Sequence, residues 1–167
     1  MSTSGELSEF SAYDHIVRLL DESGADYRLI AHEPEGQTEA ASQIRGHDLG
    51  QAAKSIVILA RPDKRTSRFI LAVVPGDRRV DLRRLKRIMA LRSAGFAPRE
   101  VAERLAGSVA GSIMPFAFHP ELHLIVDEDL LRQDVLYFNA GRLDLSVEIS
   151  TKDYVRMAQP RTARIAE

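Results

Sequence analysis

Cysteine and tryptophan are both absent from this 167-residue chain, and aromatic residues make up only 6% of it. Without cysteine there are no disulfides, no thiolate nucleophile and no cysteine-ligated metal centre. Such a chain suits a reducing compartment. Net charge is nearly absent too: 23 Lys and Arg against 24 Asp and Glu leave −1. Phosphate neutralisation supplies most of the affinity of a duplex-DNA binder, so that class normally shows a basic excess. No sequence-specific DNA binding is therefore expected. No apolar run approaches the ~20 residues of a membrane-spanning helix. The opening MSTSGELSEF has neither the basic nor the apolar region of a signal peptide. The expected location is cytoplasmic, with no membrane partner. Internal repeats, low-complexity tracts and interior linkers are also missing.

What is present is an ordinary globular composition, 44% hydrophobic and 28% charged. A chain near 150 residues buries about 70% of its unfolded surface, enough for a substantial core. We expect one domain over 1–167, with an ordered core spanning about 10–160. Apolar spacing predicts a helix from Phe10 to Leu20 stopped by Gly24. A short strand follows from Ala25, ending before Pro34. Thr38 is positioned to cap a second helix closed by Gly46, and 48–54 reads as a third short helix. The β-rich runs 55–62 and 66–76 read as neighbouring central strands. Asp81 caps a basic helix, and Pro98 begins another that ends at Gly107. Strands are expected over 112–118, 122–127, 134–141 and 143–150, before a final helix opened by Thr151 or Asp153. The fold class is α+β: a curled, barrel-like, mainly antiparallel mixed sheet surrounded by helices.

The most informative stretch is AGSVAGSIMPFAF, residues 106–118. Its glycines permit a sharp turn and a close approach of backbone to ligand. Successive N–H groups in such a turn form a concave donor site for an oxyanion or phosphate. Upstream, Lys54 opens the apolar strand SIVIL, and Pro75-Gly76 leads into Val80-Asp81. That ordered trio resembles the YbaK/prolyl-tRNA-synthetase-associated editing domain family. Its members carry a lysine before a buried strand, a later Pro-Gly stretch followed by Val-Asp, and a G-x-x-x-G-S-[VI]-x-P-F-like loop. Here Gly107, Gly111, Ser112, Ile113, Pro115 and Phe116 occupy the loop, and the likeness covers roughly residues 10–160. It implies a barrel-like mixed sheet with outer helices, and hydrolysis of wrongly charged aminoacyl-tRNA without a cofactor.

An anonymous lysine at a strand entry is ordinarily solvated. The resemblance instead makes Lys54 the first catalytic candidate, its ammonium holding a terminal phosphate or ribose of tRNA. Gly111, ordinarily a turn residue, becomes the second. Either its N–H stabilises the tetrahedral oxyanion or a carbonyl there positions the attacking water. Ser112 sits in no nucleophile elbow and is expected to bind substrate rather than to form an acyl-enzyme. His32, His119 and Asn139 are further substrate-binding candidates, each with an ordinary surface or turn explanation beside it. His119 and His123 have an H-x3-H spacing, but Pro120 prevents the helix that zinc sites of this spacing use, so no metal site is expected. Residues 78–92 hold seven Lys and Arg against Asp81 alone. They are either a solvated helix face or a patch for tRNA phosphates carried by Arg83, Arg84 and Arg87.

The resemblance implies a trans-acting aminoacyl-tRNA deacylase that removes a small amino acid, with tRNA for proline the expected carrier. Hydrophobic pockets separate side chains differing by one methylene by only ~1–3 kcal/mol, so small residues need a second hydrolytic check. The partners are mischarged tRNA and, if delivery is assisted, an aminoacyl-tRNA synthetase. The competing reading is a non-catalytic module binding tRNA or a synthetase through the same groove.

Overall fold

The computed structural model describes residues 12–167. The expected fraying of residues 1–8 and the helix start at Phe10 lie outside that range. Helix α1 (Ala12–Ser23) buries Ala12, Ile16 and Leu20 at helical spacing, and Gly24 follows in the left-handed region at φ +67°. Strand β1 (Tyr27–Ala31) leads to α2 (Thr38–Arg45), which Gly46 ends in the same conformation. Gln37, not Thr38, stands at the α2 N-terminus, and its side chain makes no cap. The third helix expected over 48–54 is only a 3-10 turn at Leu49–Gln51, because strand β2 (Ala53–Arg61) has already begun at Ala53.

Strand β2 pairs antiparallel with β3 (Arg68–Pro75), whose continuous apolar run is buried on both faces. Helix α3 (Leu82–Ile88) begins where the Asp81 carboxylate accepts the Arg84 N–H at 3.0 Å. Strand β4 (Ser93–Phe96) precedes α4 (Arg99–Ala106), which starts after Pro98 and ends at Gly107. Then come β5 (Leu122–Asp127), β6 (Val135–Arg142), β7 (Leu145–Ser150), α5 (Thr151–Ala158) and β8 (Arg161–Ala163). The cap of α5 is Ser150, whose hydroxyl accepts from the Asp153 N–H at 3.2 Å.

Two sheets result, rather than one curled barrel. The larger runs β4-β2-β3-β5-β8, antiparallel through β4, β2 and β3, and parallel from β3 to β5 and β8. The smaller is antiparallel in the order β1-β7-β6. A single bridge between Ala52 and Tyr137 joins them at one corner, and no closed barrel forms among the described residues. The main core lies between the sheets and α1, α4 and α5, around Val57, Val73, Phe116, Leu136 and Tyr154. A second core covers the other face of the large sheet, where Leu85 of α3 and Ile165 meet Ile58, Ile70 and Val74. The buried Asp127 carboxylate fixes that end by accepting the N–H groups of Ile165 and Ala166.

Residues 112–118 do not form the expected strand. The Ser112 N–H turns back to Val109 O at 3.0 Å, Pro115 has no N–H, and the Pro115 carbonyl is taken by Tyr154 Oη at 2.6 Å. The segment is instead a coil pinned by Met114 and Phe116 in the main core. No described helix is long and apolar enough to cross a membrane.

Candidate active site

A cleft of about 70 Å³ opens at the corner where the two sheets meet. Lys54, Gly111 and Asn139, from β2, the turn after α4 and β6, all line it. The 36–38 segment at the start of α2 lines it as well. Two glycines make this corner possible. Gly111 has φ +88°, and a Cβ there would fall 2.7 Å from both Cα and O of Gly36. At Gly76 a Cβ would fall 2.6 Å from Leu49 O, so the Pro-Gly turn seats directly on the segment leading into β2.

Asn139 ties the walls together. Its Nδ2 donates to Glu35 O at 2.8 Å and to Gly111 O at 3.0 Å, and its Oδ1 accepts from Ser146 Oγ at 2.9 Å. Ser146 Oγ also accepts from Arg45 at 3.2 Å, and His32 Nε2 lies 2.6 Å from it. Arg45 donates through Nε to His47 Nε2 at 2.8 Å. That bond requires His47 to be unprotonated on Nε2, so its Nδ1–H donates to Asp48 O. Burial lowers both groups, Arg45 to about 10. The His47 ring stacks on Tyr137 at 3.7 Å between centroids, and Tyr137 Oη donates to Glu148 at 2.5 Å. The cleft floor is thus a hydrogen-bonded polar network, which holds its members in one geometry.

The half-buried Lys54 donates from Nζ to Arg78 O. Burial lowers its affinity for the proton, and the charge of Arg79 adds to this. The Gly111 carbonyl is occupied by Asn139, whereas its N–H has no partner among the described residues. Ser112 is fully buried, gives both its N–H and its hydroxyl to Val109 O, and does not line the cleft. His119 is also outside the lining, its Nδ1 accepting the Glu121 N–H at 3.1 Å. Among the described residues, His32 reaches the site through Ser146 and does not line the cleft. Among the described residues no three His, Cys, Asp or Glu side chains gather around a metal-sized space.

The basic run divides. Arg83 and Arg87 are exposed and, with Lys86, line a broad groove of about 930 Å³ along α3. Arg84 instead reaches back to Ala166 O at 3.3 Å and lies 3.8 Å from Asp81. Arg78 is tied to Asp129 at 2.5 Å. The cleft members that sequence reading passed over are Gly36, Gln37, Thr38, Arg45, Ser55 and Tyr137. Only the EGQT segment carried a signal, a glycine two residues before the helix start at Thr38.

The family model for the aminoacyl-tRNA editing domain matches residues 32–157, most of the chain. The chain belongs to the aminoacyl-tRNA editing domain family. It is an aminoacyl-tRNA deacylase, a hydrolase of translation fidelity. The multifunctional Ser/Thr-tRNA deacylase ProXp-y of Escherichia coli K12 is 43% identical over 150 residues, 89% of each chain. The crystal structure of hypothetical protein APE2540 superposes with a TM-score of 0.81 at 22% identity, covering 91% of this chain and 99% of that one. A candidate trans-editing enzyme for prolyl tRNA synthetase gives a TM-score of 0.78 at 21% identity, covering 93% and 97%. These two likenesses bear on the fold alone.

Proposed function

We propose that the protein hydrolyses the ester of tRNA mischarged with serine or threonine, acting in trans, at the cleft bordered by Lys54, Gly111 and Asn139. What carries this reading most is that three residues from distant parts of the chain meet on one small cavity. An engineered cavity of about 150 Å³ takes benzene. One of about 70 Å³ suits a side chain of only a few heavy atoms. The choice of serine and threonine follows the E. coli relative, whose name gives Ser/Thr-tRNA and does not mention the tRNA for proline expected from sequence.

In this mechanism water attacks the ester carbonyl, and the negative charge that develops on its oxygen is met by the unpartnered Gly111 N–H. One such donor is worth about 10²–10³ in rate in well-studied hydrolases. Collapse breaks the bond to the ribose oxygen, which leaves with the proton given up by the attacking water and frees the amino acid. Lys54 exchanges the Arg78 carbonyl for an anionic or ribose oxygen of the tRNA end. Asn139 holds the Gly111 turn against the 35–36 segment, so the donor is fixed before substrate arrives. Arg83, Lys86 and Arg87 take acceptor-stem phosphates, while Arg84 is engaged with Ala166 O and Asp81. The committed hydroxyl of Ser112 supports attack by water over an acyl-enzyme.

The test is deacylation of a panel of mischarged tRNAs by wild type and Lys54→Ala, with thermal melts of both. Release of serine or threonine that depends on Lys54 supports the reading. Tight tRNA binding without release would favour the non-catalytic module.

A further inference from the structure

Among the described residues, one buried side-chain polar atom lacks a hydrogen-bond partner: Ser55 Oγ. It lies in strand β2, immediately after Lys54, and Ser55 lines the cleft. Its neighbours on the same face of the strand, Ala53 and Val57, belong to the main core, as does Val73 directly across the pairing with β3. Nothing apolar in that surrounding answers a hydroxyl. Two longer polar side chains of the cleft, Asn139 and Arg45, are already matched. Asn139 uses Nδ2 and Oδ1 on its two loops and Ser146, and Arg45 is spent on Ser146 and His47.

We infer that Ser55 is a specificity-determining residue, its hydroxyl forming a hydrogen bond with the side-chain hydroxyl of the seryl or threonyl group to be removed. This rests on the function proposed above. A hydroxyl offers one donor and two acceptor sites, so Ser55 Oγ meets another hydroxyl in either sense. A substrate with a methyl group there leaves Ser55 unmatched, and a site built around a polar contact rejects the analogue that lacks it. Alanine is therefore disfavoured although it is smaller, and a size filter alone does not predict that order. Because Oγ makes no hydrogen bond within the fold, its removal relieves an unsatisfied buried group and does not break a structural bond.

The experiment charges one tRNA transcript in turn with serine, threonine and alanine. It then compares kcat/KM for wild type, Ser55→Ala and the near-isosteric Ser55→Cys, with thermal melts of each. Both variants are expected to lose about tenfold on seryl- and threonyl-tRNA, to hold their rate on alanyl-tRNA, and to melt no lower than wild type. An unchanged Ser-to-Ala ratio in both variants overturns the inference while leaving the proposed function standing. Equal losses on all three substrates, or a lowered melting temperature, make Ser55 structural and overturn it too. A wild type inactive on seryl- and threonyl-tRNA defeats the proposed function, and the inference with it.

Discussion

Replacing Gly111 with alanine tests the corner where the two loops meet. The new Cβ falls 2.7 Å from Gly36 Cα and O, whereas ordinary contact begins near 3.4 Å, so backbone must shift by about 0.7 Å. Alanine must also hold φ near +88°, a left-handed conformation that costs a residue with a Cβ about 1–2 kcal/mol. Adding about 1–2 kcal/mol for the displaced backbone gives a loss near 3 kcal/mol. For a chain of this size, that lowers Tm by about 6–12 °C. The collision is with protein, not with the ester, so the catalytic effect runs through the position of the Gly111 N–H. Misplacement of a reacting group by about 1 Å costs on the order of a hundredfold. We expect kcat to fall by about that factor and KM to change far less. The assay is deacylation of seryl-tRNA at 25 °C beside a circular-dichroism melt. A variant melting within 2 °C of wild type and turning over at the wild-type rate would refute the geometry.

Arg83→Gln with Arg87→Gln should raise KM without altering kcat, and should reduce the dependence of log Kd on log salt by about one to two. Filter binding across salt concentrations reads this directly; an unchanged slope would make α3 an ordinary solvated face. Lys54 makes a prediction about pH and stability. Its proton is held less tightly in the folded chain, so the cost of charging it is fully present at neutral pH. That cost is relieved as pH rises through the lowered folded value toward the ordinary 10.5. The Tm of wild type should therefore gain on that of Lys54→Met over this alkaline interval. Loss of the bond to Arg78 sets only a constant offset, so a flat difference contradicts the burial argument.

Much of the frame was legible in the sequence because it rests on local signals. The glycines at 24, 46 and 107 end helices in left-handed conformations, Asp81 caps α3, and the apolar runs of β2 and β3 pair as neighbours. The misreadings share a physical cause. Residues 112–118 have the composition of a strand, but their backbone groups are spent on Val109 and Tyr154 before any ladder can form. Strands β4 and β8 run only four and three residues, too short to show a period. At the site, Lys54, Gly111 and Asn139 were expected and share the cleft. The network beneath them was invisible, since Arg45 and Ser146 lie 101 residues apart and His32 and Ser146 lie 114 apart. Ser55 was hidden inside an apolar run, and only the lack of a partner in the folded chain singles it out.

Release of serine from seryl-tRNA by wild type and by Lys54→Ala, measured in single turnover with both melts recorded, tests the central claim most directly. Lys54 borders the cleft, and among the described residues its ammonium hydrogen-bonds to the Arg78 carbonyl alone, so the variant should remain folded. The account predicts that wild type releases serine well above the uncatalysed rate and that Lys54→Ala is slower by about a hundredfold. Equal rates for the two folded proteins, or no release by wild type, would contradict it.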